Sequence, residues 1–217
     1  MLVVPDRAVP QAVAEGRYGG PMLIATLAAL LAGLTVAGRI DVRQKVLQPP
    51  PDQGAASADT SNAKPDESAM SERELEEALV KARTVEQVTR ALAAVALPAE
   101  LTLLALALYL LGRYVGGKPT FRRAVALASQ AALPGAVGSL LVALAASRRT
   151  SIAPSELSTL LLPSWHGVDP FAVWSVVLLA LGFPTLAGVS RTKSWISIGI
   201  CFALWLALTR LVFGGAK

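Results

Sequence analysis

The sequence holds one cysteine and one histidine among 217 residues, and only 16% of it is charged. Each shortage removes a class of chemistry. Cys201 alone cannot form an intrachain disulfide or a cysteine-based metal site. It lies within an apolar run, where a thiol serves as small filler. His166 alone leaves multi-histidine zinc sites incomplete. Acids are sparse outside one polar segment, and HExxH, Gly-x-Ser-x-Gly, phosphate-loop and paired-carboxylate patterns are absent. No catalytic, cofactor-binding or metal-ligating residue is assigned, no cofactor is expected, and the chain is not read as an enzyme. Without an RNP-like, zinc-finger or helix-turn-helix pattern, the net charge of +5 does not point to nucleic acid. Period-two alternation is missing as well, which argues against an outer-membrane barrel.

The chain is rich in apolar residues, 53% of the total. They come in runs of about twenty, the length a helix needs to cross hydrocarbon. The expected fold is an all-α polytopic transmembrane bundle of five spans, because backbone crossing lipid must satisfy its own hydrogen bonds. The spans are read at about 20–38, 91–112, 124–146, 170–189 and 194–213, the last four forming a bundle within 91–217. Residues 1–19 read as a short interfacial segment, with Val9, Ala12 and Val13 at helical spacing. The first span is read as uncleaved, since the site after it suits a signal peptidase poorly. Residues 39–70, rich in Pro, Ala, Ser and Asp, read as a flexible polar linker. Residues 71–90 read as a polar helix that can run straight into the second span. Ser71 and Glu74 have capping-box spacing, and Leu75, Leu79, Ala82 and Val85 form an apolar stripe.

Loop charge sets orientation. Arg113, Lys118, Arg122 and Arg123 follow the second span, and Arg191 and Lys193 follow the fourth. Those loops are expected inside, which places the N-terminus in the cytoplasm and the C-terminus outside. The flanks of the first span are basic on both sides and do not decide.

The segment VDPFAVWSVVLLALGFPTLAGVSRTKSW joins an acid, aromatics, an apolar run with a glycine and a basic turn. Asp169, Phe171, Trp174, Gly182, Arg191 and Lys193 occupy these places. The segment resembles the last third of the bacterial Yip-type membrane domain, named for Ypt/Rab-interacting membrane proteins. The opening VPDRAVPQAVAEGRYGGPML is similar to the pre-span segment of such proteins. The resemblance implies a five-span membrane protein with its N-terminus inside. The Tyr-Gly-Pro motif of eukaryotic members is absent, so binding of small GTPases is not carried over.

Several residues invite a sharper reading. Asp169-Pro170 has the chemistry of a helix start, an N-cap followed by proline at the first helical position. His166, beside Trp165, has no partner ligand and reads as a loop residue in the head-group layer. Glu100 and Arg210 are charged groups inside spans, which are costly in lipid and usually meet a partner. They form a candidate intramembrane polar pair, structural as a clamp or functional as part of an ion route. Ala128, Ala132 and Ala136, with Gly135 and Ser139, place small residues at four-residue spacing for close helix packing. Pro98, Pro134 and Pro184 are expected to distort their spans.

The expected role is a non-enzymatic, organising or accessory component of the membrane acting through helix packing and protein contacts. The alternative is a small transporter or channel subunit with Glu100 and Arg210 lining a polar route. The expected partners are the lipid bilayer and a membrane protein whose identity is not legible, or a second copy of the chain. The alanine-rich, lysine-poor composition points to a bacterial cytoplasmic (inner) membrane.

Overall fold

The computed structural model describes residues 5–42, 72–152 and 169–213, and the side chains of 7–42, 73–152 and 169–208. The linker from residue 43, Ser71, Trp165 and His166 lie outside the described residues, as does the Arg210 side chain. The helices are α1 (Pro5–Glu15), α2 (Gly19–Ala37), α3 (Glu72–Tyr114), α4 (Phe121–Ala131), α5 (Leu133–Ser147), α6 (Pro170–Ala187) and α7 (Arg191–Phe213). Among the described residues there is no strand, only one isolated parallel bridge between Ile40 and Ile152.

Local chemistry explains the boundaries. The expected polar helix and second span are one helix of 43 residues, with Pro98 as its only proline and no glycine before Gly112. It is about 65 Å long at 1.5 Å per residue, far more than a span needs. The span expected at 124–146 is two helices, interrupted at Ala132. Pro134 has no N–H to offer the Gln130 carbonyl, and its ring crowds that oxygen, which favours a break here without by itself dictating one. Helix assignment runs unbroken through Pro98 and Pro184. Gly188 stops α6 by adopting φ 70°, while its N–H donates to the Pro184 carbonyl at 2.8 Å. Ser190 then starts α7 earlier than expected, its Oγ accepting from the Lys193 N–H at 3.4 Å.

The described residues fall into two compact units, one within 1–29, 95–139 and 164–217 and comprising the described 5–29, 95–139 and 169–213, the other comprising 30–42, 72–94 and 140–152. In the first, α1 packs on α6 and α4, and α6 packs on α4 and α7. Its core holds Val13, Leu127, Phe183 and Leu186, all fully buried, among Ala105, Ala124 and Ala128. The apolar stripe of α1 is therefore turned onto the protein's own helices, while Arg7, Gln11 and Glu15 stay exposed. Lipid tails are as apolar as leucine, so dispersion and close fit, more than exclusion of water, hold such a core together. A smaller cluster, Ala25, Ala28 and Ala136 with Leu97 and Ala132, joins α2, α3 and α5.

In the second unit, Val36, Ile40, Val42, Ala146 and Ile152 form a core, with Leu79, Ala82 and Val142 against it. The Asp41 N–H donates to the Ile152 carbonyl at 2.9 Å, and the Ile152 N–H to the Arg39 carbonyl at 2.8 Å. Residues 39–42, expected to open the linker, thus form an ordered strap on the chain after α5.

The closest approach in the first unit is at Gly182. A Cβ there would run into the Leu127 side chain and lie 3.1 Å from Val9 Cγ1. Leu127 is fully buried and has nowhere to go. Gly182→Val is expected to cost about 1–3 kcal/mol by overpacking, read as a lower unfolding midpoint in detergent micelles. Gly199→Val, where nothing lies within 4 Å, should be near neutral. Equal losses would contradict this packing.

Candidate functional site

The residues that carried the family resemblance are spread along α6 and its flanks. At one end Asp169 is the N-cap, with φ −71° and ψ 125°, and its carboxylate accepts from the Phe171 N–H at 2.9 Å. Pro170 follows at the first helical position. The half-buried Phe171 ring lies over Gly138, its Cδ2 atom 2.9 Å from where a Cβ would sit. Trp174 is exposed one turn further on. Gly182 admits Leu127 and Val9, and Arg191 and Lys193 are exposed beyond the other end. The 18 residues of α6 put these ends about 27 Å apart. The set does not converge on one point where a substrate could react. It caps, wedges and closes a helix.

Polar groups inside the helices are handled locally. Hydroxyls of Thr26, Thr102, Ser129, Ser139 and Ser175 each donate to the carbonyl four residues back in their own helix. Ser194 is different. It is fully buried, and its Oγ donates to the Ala180 carbonyl at 2.6 Å, tying α7 to α6. Nothing but its place after a basic turn marked it in the sequence. Cys201 is exposed. Among the described residues no group of three or more His, Cys, Asp or Glu could hold a metal ion.

Glu100 is exposed on α3. Arg210 lies in α7, and its side chain is outside the described residues. A different pair is formed in the second unit. Arg90 Nε meets Glu86 Oε1 at 2.7 Å, with the side chains only 27% and 14% exposed. It packs on α2, where a Cβ at Gly33 would lie 3.3 Å from Arg90 Cβ. A glutamate and an arginine one helical turn apart are ordinarily a solvated surface pair. Burial against Gly33 is what the sequence could not display.

The small-residue lines are unevenly placed. Ala124 and Ala128 are fully buried in the α1–α4–α6 core, and Ala136 is buried in the α2–α3–α5 cluster beside Ala132. Gly135 is exposed, with nothing within 4 Å of its Cβ position, and Ser139 is half-buried.

Cations gather at one end of the first unit. A Cβ at Gly112 would lie 3.0 Å from Pro119 Cγ and 3.5 Å from Ala187 Cβ, and one at Gly117 would collide with the Ala187 carbonyl. The α3–α4 connection is therefore folded onto the last residue of α6, close to the start of α7. Arg122 lies over Gly16, the left-handed residue (φ 65°) that ends α1. Arg113 Nη1 donates to Tyr109 Oη at 3.1 Å, and Tyr109 meets Phe121 edge-on with centroids 6.3 Å apart.

Four segments among the described residues are long and apolar enough to cross a membrane: Gly19–Ala37, Arg73–Tyr114, Phe121–Ser147 and Pro170–Ala187. Large apolar side chains stand exposed along them, among them Leu23, Leu27 and Leu31 on α2 and Leu103 and Leu110 on α3. Such a surface suits lipid and not water. The molecule is an integral, all-helical membrane protein. A family model described as the Yip1 domain matches residues 1–212, and the chain belongs to that family of membrane proteins. No curated protein and no solved structure matches it.

Two outcomes follow. Asp169→Ala should lower stability by about 0.5–2 kcal/mol, while Asp169→Asn keeps the cap; unfolding in detergent reads both. Glu86→Ala and Arg90→Ala, made singly and together, should show coupling of about 0.5–3 kcal/mol. Additive losses would mean the pair is idle.

Proposed function

We propose that the protein is a non-enzymatic organising or accessory component of a bacterial cytoplasmic membrane, working through contacts of its helices with another membrane protein. The observation that carries this reading is the length and surface of α3. Its N-terminal half exceeds what a span requires, and while Leu79 and Ala82 pack inward, Val80, Val85 and Val88 stay exposed among Glu77, Lys81 and Arg83. Apolar residues on a charged helix outside a lipid span give a surface suited to a protein partner. We infer five spans, with α7 as the fifth. Its 23 residues suffice, and Ile196, Ile200, Leu204 and Leu208 are exposed as a lipid-facing side requires. Trp174 on α6 and Trp195 on α7 are exposed near the ends of their helices, in keeping with rings that settle at head-group depth. The N-terminus is inside in this reading. The docking of α1 beside Arg122 puts it at the same end as the basic loops, and such loops face the cytoplasm.

Single cysteines in a Cys201→Ala background test the topology. Lys118→Cys and Lys193→Cys should react with a membrane-impermeant thiol reagent only after the membrane is opened, and Ser151→Cys in intact cells. The reverse pattern, or labelling of Lys118→Cys and Lys193→Cys from opposite sides, would overturn the five-span arrangement. For the role itself, photocrosslinkers at Val85 and Val88 in cells should capture a discrete membrane protein. Ion flux through vesicles holding the purified chain, abolished by Glu100→Gln, would instead make it a transporter.

A further inference from the structure

We propose that the cationic end of the first unit binds the head-group phosphates of anionic phospholipids, at a site centred on Arg122 and Arg123 where α4 begins. Folding of the α3–α4 connection onto Ala187 gathers Lys118, Arg122, Arg123, Arg191 and Lys193 at this end. Among the described residues none of these five has a carboxylate partner. Glu15, which ends α1 next to Gly16, is already engaged by Arg17 and accepts from Gln11 Nε2 at 3.0 Å. Among the described residues the concentrated positive charge is thus left without a counter-charge.

Two features narrow what would supply one. The first is the seating of Arg122. The stem of Arg122 lies against Gly16, its Nε 2.8 Å from where a Cβ would stand and its Cγ 3.0 Å away. Gly16 thus backs the Arg122 stem while the residue as a whole stays exposed, and its planar fork suits a phosphate better than a lysine does. The second is depth. Tyr18, Tyr114, Phe121 and Trp195 are exposed around the same end. Rings of this kind sit in the head-group layer, where phosphodiesters are found. An anion met at that depth, by cations without acids, is a lipid phosphate. The inference rests on the proposed reading that these helices span the bilayer.

The test uses the full-length protein in detergent micelles, titrated with phosphatidylglycerol or with phosphatidylcholine, and followed by its unfolding midpoint and by bound lipid in native mass spectrometry. Phosphatidylglycerol should raise the midpoint and stay bound, phosphatidylcholine should do neither, and salt should weaken the effect. Arg122→Gln with Arg123→Gln should lower the apparent affinity about thirtyfold, about fivefold for each cation removed. Arg122→Lys with Arg123→Lys keeps the charge but not the fork, should fall between the wild type and the double glutamine variant, and guards against mere misfolding; Arg148→Gln in the second unit should change nothing. Inorganic phosphate at the same concentration should give no shift; an equal shift would mean a solution anion and overturn the lipid assignment. Equal affinity for both lipids, or wild-type affinity in the double glutamine variant, would also overturn it. Stripping of the chain from vesicles by alkaline carbonate would sink the spanning reading instead.

Discussion

At Gly182 the backbone of α6 comes so near α4 and α1 that no side chain fits between them, and the rest of the first unit is arranged around that approach. Leu127 and Val9 fill the space a Cβ would need. Phe183, the next residue, is fully buried beside them. Lipid offers little push to bring helices together, so the gain must come from surfaces that touch. A glycine at the meeting point and alanines at 124 and 128 make that contact possible. The short N-terminal helix thereby becomes part of the bundle.

Lipid imposes a second constraint, that polar atoms be satisfied nearby. The solutions are local. Hydroxyls bond their own helix, Asp169 and Ser190 start the two helices they precede, and Gly188 closes α6. The Ser194 tether and the strap between Ile40 and Ile152 are the exceptions that join separate segments. Each brings together residues that are unremarkable one by one. Charge left unpaired at the Arg122 end, and apolar side chains left uncovered on α3, are where the molecule meets its surroundings.

Much of this was legible because membrane physics writes strong signals. Runs of twenty apolar residues, the Asp169-Pro170 start and the proline near 134 each correspond to a described element or its edge. Family membership was legible in the acid, aromatic, glycine and basic turn of α6, and the family match covers residues 1–212. What was not legible is pairing across distance. Val9 and Val13 have the spacing of an interfacial helix, and nothing in that spacing says the partner is Leu127 and not lipid. Glu100 drew attention because a charge in a span is costly, and it is exposed; Arg90, half-buried against Gly33, was not singled out at all. Residues 39–42 looked like linker because the strap depends on Ile152, more than a hundred positions away.

The central claim is that α1 is a packed member of the bundle, held through Leu127 and Gly182, and not a helix adrift on the membrane. Hydrogen exchange of the Val9 to Val13 amides, measured in lipid nanodiscs, addresses it directly. The account predicts strong protection in the wild type and a large loss of it in Leu127→Ala, a residue that touches α1 only from α4. Protection that is weak from the start, or that is indifferent to Leu127→Ala, would contradict it.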